Sequence, residues 1–420
     1  MPDSPTPIYL LRFTGEDRPG LTADLSDTLA EHGATVLDLN QAVIHQSLLL
    51  GVMVALPVDA QDADAVLDVI RSAAERNDLR LKVRPIAAAD YDAWVGMQGK
   101  PRHILTLLTR SLSARQLAAV SRVVAEQGLN IDVIHRLSGR PPRTDDGTPQ
   151  RACIEFSLRG EPIDAEAMHL EFMRLGGELA LDVAWQKDDA YRRSRRMVVF
   201  DMDSTLIRAE VIDELAKEAG VGGEVAAVTA AAMRGELDFE ASLRRRVAAL
   251  AGLAESKLAE VADRLDLTEG CAVLLENLRG LGYKTAVLSG GFTYFGRRLQ
   301  ERLGLDHVHA NDLEIHDGRL TGRVLGSVVD GPRKAELLEQ LAAAEGIHRR
   351  QVVAVGDGAN DLPMLNRAGL GIAFHAKPIV REQAEQSVST LGLDAVLYLL
   401  GVHDHQRLAT PLQPAVPADR

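Results

Sequence analysis

Aromatic residues make up only 4 % of this 420-residue chain, so its cores have to be filled by Ala, Val and Leu rather than by large rings. Cysteine is almost absent. Cys153 and Cys271 fall in segments that read as different domains, which argues against a structural disulfide and suits a reducing, cytoplasmic location. Long apolar runs are missing too. The longest, near Leu48 to Leu56, is far too short to cross a bilayer, and no basic region followed by an apolar segment opens the chain, so neither a membrane partner nor a secretory route is expected. Basic charge is in deficit: 47 Lys and Arg face 60 Asp and Glu, a net charge of −13 that argues against nucleic acid or anionic lipid as partner. What remains, 46 % hydrophobic and 25 % charged, is ordinary for a globular protein, and the length suggests two or three domains.

The chain is organised around Met197 to Leu206, where a short apolar strand breaks off at Asp201-Met202-Asp203 and then at Ser204-Thr205. Strand side chains alternate, so Asp201 and Asp203 face one side while Met202 turns away. Two carboxylates at one strand end repel unless a cation or a proton sits between them. One can stay ionised as nucleophile or metal ligand, and the other can be driven toward the protonated form and act as a general acid.

Before this strand, a pattern of strand, helix, two strands, helix and strand runs from Ile8 to Pro85 and recurs from His103 to Gln186 at an offset of 95 residues. Ala30-Glu31-His32-Gly33 thereby lies on Ala125-Glu126-Gln127-Gly128. Each ferredoxin-like βαββαβ unit, with Gly15-Glu16-Asp17-Arg18-Pro19-Gly20-Leu21 opening the first helix, resembles an ACT domain, a small-molecule sensing module of amino-acid enzymes. In that turn Pro19 can begin the helix, Gly20 lets a ligand carboxylate approach the exposed N–H groups, and Asp17 can meet an ammonium. The resemblance implies L-serine as the sensed amino acid and edge-to-edge pairing into a homodimer. The second unit has Thr109-Arg110-Ser111-Leu112-Ser113 at the same place and is expected to pair structurally without binding. The Pro-rich stretch Gly139–Pro149 reads as an exposed loop, the basic run Arg192–Arg196 as a solvated linker, and the tail 404–420 as frayed.

Past Leu206 the sequence turns helical to about residue 270, which reads as a cap inserted after the first strand. Alternation of strand and helix then resumes, so a parallel sheet with its site at the carboxyl ends of the strands is expected. Three polar features fall at such ends. Ser289-Gly290-Gly291 offers a hydroxyl and backbone N–H groups as a phosphate cradle, on a reading in which it opens a helix. Lys334 stands in the first turn of a helix behind Gly331-Pro332, where a lysine is unfavourable unless an anion is near. Gly356-Asp357-Gly358-Ala359-Asn360-Asp361 puts two carboxylates one helical turn apart, a ligand type that suits Mg²⁺.

In order, Asp201-x-Asp203-x-Thr205, Ser289, Lys334 and Gly356-Asp357-Gly358-x-x-Asp361 resemble the four motifs of the haloacid dehalogenase superfamily, over about Met197 to Ser389. The resemblance implies an α/β fold with a Rossmann-like parallel sheet, an inserted helical cap and one Mg²⁺ per active site. It makes Asp201 the nucleophile and Asp203 the general acid and base. Asp201, the carbonyl of Asp203 and Asp357 would hold the metal; Ser289, Gly290, Lys334 and Asn360 would contact the phosphoryl group; and Asp361 would steady Lys334 or the metal's waters. The cap narrows the resemblance to phosphoserine phosphatases. Glu210 would then take the ammonium of O-phospho-L-serine, Arg246 its carboxylate, and Met233 and Phe239 would form an apolar lid. The implied layout is an ACT unit at 1–95, a second at 96–188, and a phosphatase domain at 189–403 with its cap at about 208–270. Two alternatives remain at this point: action on another small phosphomonoester, by hydrolysis or by transfer, and a non-catalytic amino-acid sensor.

Overall fold

A computed structural model describes residues 6–57, 60–141 and 150–408. It divides into two compact units at Lys100 and Pro101. The first contains β1 (Ile8–Glu16), α1 (Leu21–Glu31), β2 (Thr35–Ile44), β3 (Ser47–Ala55), α2 (Ala60–Arg76), β4 (Arg80–Ile86) and α3 (Ala88–Gly96). Its sheet is antiparallel, in the order β2-β3-β1-β4. Alternation does what period-two patterning requires: Leu11 and Phe13 of β1 and Leu48, Leu50, Val52 and Val54 of β3 bury one face under Leu21, Leu25 and Leu29 of α1 and Leu67 and Ile70 of α2. Pro19 does not begin α1. The helix starts at Leu21, capped by Gly20 at φ 94°, a left-handed conformation that only glycine adopts without strain. Helix α3 was not expected from the sequence, and the reason is plain: it buries no residue and so carries no apolar stripe.

The second unit opens with the repeat: β5 (Arg102–Thr109), α4 (Ala114–Glu126), β6 (Asn130–Arg136), β7 (Ala152–Arg159), α5 (Ala165–Leu179) and β8 (Leu181–Lys187), with sheet order β6-β7-β5-β8. Most of the Pro-rich loop, residues 142–149, lies outside the described residues. Whereas β1 alternates between buried and more exposed positions, β5 is buried at every position after Arg102. The second face is covered by the body that follows the repeat, since Leu108, Leu137, Cys153 and Ala184 join the large core that also holds Val198 and Phe200. Polar ties reinforce the junction. Asp182 Oδ2 accepts from the N–H of Ser389 (2.8 Å), the N–H of Thr390 (2.8 Å) and Thr390 Oγ1 (2.7 Å), and the Gln386 amide pairs with the backbone of Trp185 in both directions. Both cysteines are free and buried.

The chain continues with β9 (Met197–Phe200), then α6 (Val211–Ala219), α7 (Gly222–Met233), α8 (Phe239–Ala249) and α9 (Ser256–Asp263), the four helices of the cap. The cap hangs on two stems, where Ile207 bridges Leu267 and Thr268 N–H donates to Leu206 O at 2.9 Å. After it come α10 (Cys271–Gly280), β10 (Lys284–Phe292), α11 (Thr293–Leu303), β11 (His307–His316), β12 (Arg319–Leu325), α12 (Gly331–Ala344), β13 (Val352–Gly356), α13 (Leu362–Arg367), β14 (Leu370–Phe374), α14 (Pro378–Gln383) and β15 (Gln386–Val388). The seven strands run β12-β11-β10-β9-β13-β14-β15, all parallel except the hairpin strand β12. The chain leaves β9 to one side for β10 and returns on the other as β13, which makes the carboxyl ends of β9 and β13 the topological switch point where such sheets bind ligands.

Several expectations need correction. Ser289-Gly290-Gly291 does not open a helix; β10 runs through it to Phe292, with a register shift against β11. The sheet does not end at β14, because β15 adds an edge strand against the repeat. The basic run is not simply solvated: Arg192 is buried and paired with Glu155 at 2.5 Å. Residues 404–408 are not frayed, for Tyr398 Oη donates to Asp404 Oδ1 at 2.8 Å and Leu408 N–H donates to Asn277 Oδ1 at 2.8 Å; the remainder of the tail lies outside the described residues.

Candidate active site

Strand β9 is buried at all four positions, so the first residue beyond it has no room to leave the sheet plane. Asp201 N–H extends the ladder to Val355 O at 2.9 Å, and its carboxylate is buried at the switch point. Lys334, delivered by the first turn of α12 and fully buried, donates to Asp201 Oδ1 and to Asp361 Oδ1, both at 2.7 Å. Asp361 is fully buried as well, and its Oδ2 accepts from Gly358 N–H at 2.9 Å, so it fixes both the lysine and the turn after β13. Asp357 accepts from Thr205 Oγ1 at 3.0 Å.

Carboxylate oxygens of Asp201, Asp357 and Asp361 lie within 4.8 Å of one another, with one ammonium among them. Burial, then the charge of Asp361, pushes the Asp201 carboxyl up to about 8 despite Lys334, and the same two causes push Asp357 up to about 7. Burial alone would lower the Lys334 ammonium; Asp201 and Asp361 reverse this and leave it firmly protonated. The group is therefore short of positive charge, and its donors are all hard oxygens, which is the setting a divalent cation such as Mg²⁺ fits.

Asp203 faces the cap. Its Oδ1 accepts from Val211 N–H at 3.2 Å, and its carboxyl is held well above the usual range by burial, then by Glu210 and Asp201. A Cβ on Gly291 would stand 2.5 Å from Asp203 Oδ2, so only glycine admits the carboxylate there. Ser289 is fully buried and its Oγ accepts from Gly291 N–H at 2.9 Å, which leaves the hydroxyl proton free for an incoming oxygen. A Cβ on Gly290 would meet Phe239 Cζ at 2.7 Å, so Phe239 roofs the cradle. Met233 ends α7 and is 68 % exposed, so of the two lid candidates only Phe239 is seen over the site. Asn360 packs its amide oxygen against Gly358 and its carbonyl beside Gly331, between the turn after β13 and the start of α12.

Glu210 stands at the start of α6 without capping it through its side chain, and accepts from Ser204 Oγ at 2.9 Å, with Ser204 in the left-handed region at φ 57°. Arg246 of α8 is drawn by Glu210, Asp213 and Asp203, though burial pulls its guanidinium below the ordinary value, and its Nε is buried with no partner. An unpaired buried donor beside an acid pair is costly and marks a place for an anion. Two residues escaped the sequence reading. Thr205 lay inside a motif but was given no role. Asn311, 1 % exposed, donates to Gly290 O at 2.8 Å and Gly291 O at 3.2 Å while accepting from Val329 N–H at 2.8 Å, so one side chain ties the Ser-Gly-Gly segment to the approach of α12. Its signal was an amide residue continuing an apolar strand, where asparagine is disfavoured.

Residues 198–366 match the haloacid dehalogenase-like hydrolase family, and residues 8–84 match the ACT domain family. The chain is 44 % identical over 399 residues to a phosphoserine phosphatase of Streptomyces coelicolor, covering 95 % of this chain and 93 % of that one. The chain belongs to the phosphoserine phosphatase family. A second relative, phosphoserine phosphatase SerB2 of Mycobacterium tuberculosis, is 42 % identical over 94 % of this chain and 93 % of its own. Among solved structures, a probable phosphoserine phosphatase of Vibrio cholerae is 37 % identical with a TM-score of 0.56, covering 71 % of this chain and 86 % of that one. A haloacid dehalogenase family hydrolase of Salmonella enterica is 30 % identical with a TM-score of 0.60, covering 71 % and 98 %. In this phosphoserine phosphatase family member the repeat's second turn is already engaged: Arg110 makes a two-pronged pair with Glu269 (2.9 and 2.8 Å) where the first unit has its open glycine turn. Among the described residues no helix is long and apolar enough to cross a membrane.

Proposed function

We propose that the chain hydrolyses O-phospho-L-serine to L-serine and phosphate. The observation that carries this is the charge pair above Asp203: Glu210 on α6 and the unpartnered Nε of Arg246 on α8 offer opposite charges to an ammonium and a carboxylate. Asp201 attacks phosphorus, and the bond to the serine oxygen breaks as Asp203, kept protonated by its surroundings, gives that oxygen its proton. Asp203 then takes a proton from water, whose oxygen displaces Asp201 and releases phosphate. Lys334, Ser289 and the N–H of Gly290 hold the phosphoryl oxygens, with Asn360 beside them. Asp201, Asp357 and the carbonyl of Asp203 would hold one Mg²⁺, which when bound offsets the repulsion between phosphate and carboxylates. Replacing Arg246 with Ala should raise KM for phosphoserine about 30-fold or more, the scale of a charge-assisted fork, and leave p-nitrophenyl phosphate hydrolysis nearly unchanged. Equal losses on both substrates would remove Arg246 from carboxylate recognition. A panel of sugar, nucleotide and phosphothreonine esters tests the substrate itself.

We infer that residues 1–95 and 96–188 are ACT units and 189–403 the phosphatase domain, and that the turn at Asp17, Pro19 and Gly20 binds L-serine. The turn is exposed, and no side chain caps α1, so the first N–H groups of the helix are available to a carboxylate. A homodimer through the first unit is supported by the edge strand β2, where Val36, Leu39 and Ile44 are all more than half exposed. Calorimetry on the full chain should show serine binding that Asp17→Ala weakens about tenfold, the cost of one exposed charged contact. Sedimentation should give a dimer that Leu39→Asp with Ile44→Asp dissociates. A chain that binds no serine, or a monomer before mutation, discards the corresponding reading.

A further inference from the structure

The active site occupies the carboxyl rim of the seven-stranded sheet; the opposite rim holds a cleft of about 570 Å³. Its walls come from the end of β8, the linker before β9, the residues before β13 and the turn between α13 and β14. Lys187, Arg195, Arg349, Arg350 and Arg367 line it, against the carboxylates of Asp189 and Glu385. Five cations to two acids is a local excess of positive charge in a chain whose net charge is −13.

Internal pairing does not use that excess up. Arg350 pairs with Asp189 and stacks on Tyr191, and Arg367 pairs with Glu339 outside the cleft at 2.9 Å. Among the described residues no carboxylate forms an ion pair with Lys187, Arg195 or Arg349. Glu385 makes no ion pair with any of the three, and burial pushes its carboxyl upward. Arg195 is placed by construction: its Nη1 donates to the carbonyl of Arg350, and a Cβ at residue 369 would collide with both groups, so Gly369 keeps the space in which the guanidinium lies. Its Nε is buried without a partner. A guanidinium tucked under a backbone, short of an anion and flanked by two further unpaired cations is an incomplete arrangement.

We propose that this cleft binds a small phosphorylated molecule bearing a planar ring, of the nucleoside phosphate class. Three unpaired cations suit a phosphate dianion better than a single carboxylate, and arginine forks match its geometry. Trp185, one face of which is stacked against His103 at 4.3 Å, and Tyr191, in contact with Arg350 at 4.2 Å, line the cleft beside the cations for the organic part, and the volume falls within the usual ~300–1,000 Å³ of ligand pockets. The substrate itself has no ring to place there.

The chain's two tryptophans make the test direct. In a Trp94→Phe background Trp185 alone reports, and it lies in the cleft, away from the catalytic rim. ADP, the probe, should change Trp185 fluorescence saturably; pyrophosphate should act at least tenfold more weakly, and adenosine should give no saturable change. Arg349→Glu, at an exposed position that leaves phosphoserine turnover at its basal rate, should weaken ADP at least tenfold. No ADP response at millimolar concentration, or a response unmoved by Arg349→Glu together with Lys187→Glu, overturns the site. Equal responses to pyrophosphate and ADP overturn the nucleoside class.

Discussion

Asp201→Asn should leave a folded protein that no longer releases phosphate from phosphoserine. The amide cannot form the acyl phosphate, and losing a nucleophile costs about 10⁴-fold or more in kcat. Folding should survive because Asn keeps an oxygen for Lys334 at the position now 2.7 Å away, and because the native carboxyl is already pushed up to about 8 by its buried, acid-rich surroundings. Removing one charge also eases the repulsion among Asp201, Asp357 and Asp361, whose carboxylates can accept from the new amide. Thermal unfolding should therefore match that of the wild type while turnover disappears. Beryllium fluoride should trap the wild type and fail to trap the variant. Hydrolysis within tenfold of wild type would end the assignment of Asp201.

The second large effect links stability to pH and to a divalent cation. Burial and the charge of Asp361 push the Asp357 carboxyl up to about 7 from its ordinary 3.8, and Asp201 is shifted in the same direction. Between those values the folded state binds more protons than the unfolded one, so stability falls as pH rises from about 4 to 7. This is opposite to the usual salt-bridged carboxylate. Protein stripped with EDTA should lose unfolding midpoint steadily from pH 5.5 to pH 8. Mg²⁺ competes with those protons, so it should restore the midpoint more at pH 8 than at pH 6, with about 2.7 kcal/mol gained at a hundredfold excess over Kd. A midpoint that is flat with pH in EDTA, or a larger Mg²⁺ effect at pH 6, contradicts the carboxylate cluster as the cation site.

Much of the site was legible because its residues sit at strand ends fixed by short, local patterns: Asp201 and Asp203 after an apolar strand, Asp357 and Asp361 one turn apart, Lys334 behind Gly331-Pro332. The parts that were missed depend on partners distant in sequence. Gly290-Gly291 reads locally as a helix-opening turn, yet Asn311 holds both carbonyls and keeps the segment in β10. Strand β15 is three residues with two polar side chains, Gln386 and Ser387, and gains its order from neighbouring β14 and from the Trp185 backbone. The docking of the second repeat did leave a trace in β5, whose Ile104-Leu105-Thr106-Leu107-Leu108 lacks the alternation of β1. Such a run, apolar but for the buried Thr106, fits two covered faces. Arg192 was misjudged because its partner, Glu155, lies 37 positions earlier.

The grip of Arg110 on Glu269 has a consequence for how this chain could be shortened. Glu269 follows directly on the cap's second stem, and the turn that grips it stands where the sister module keeps its open glycines. The second copy has become a splint: excising it strips the hydrocarbon shield contributed by Leu108, Leu137, Cys153 and Ala184 and frees the residue beside the cap's second stem in the same cut. A shortened chain that keeps this splint begins at Pro101 rather than at Asp189.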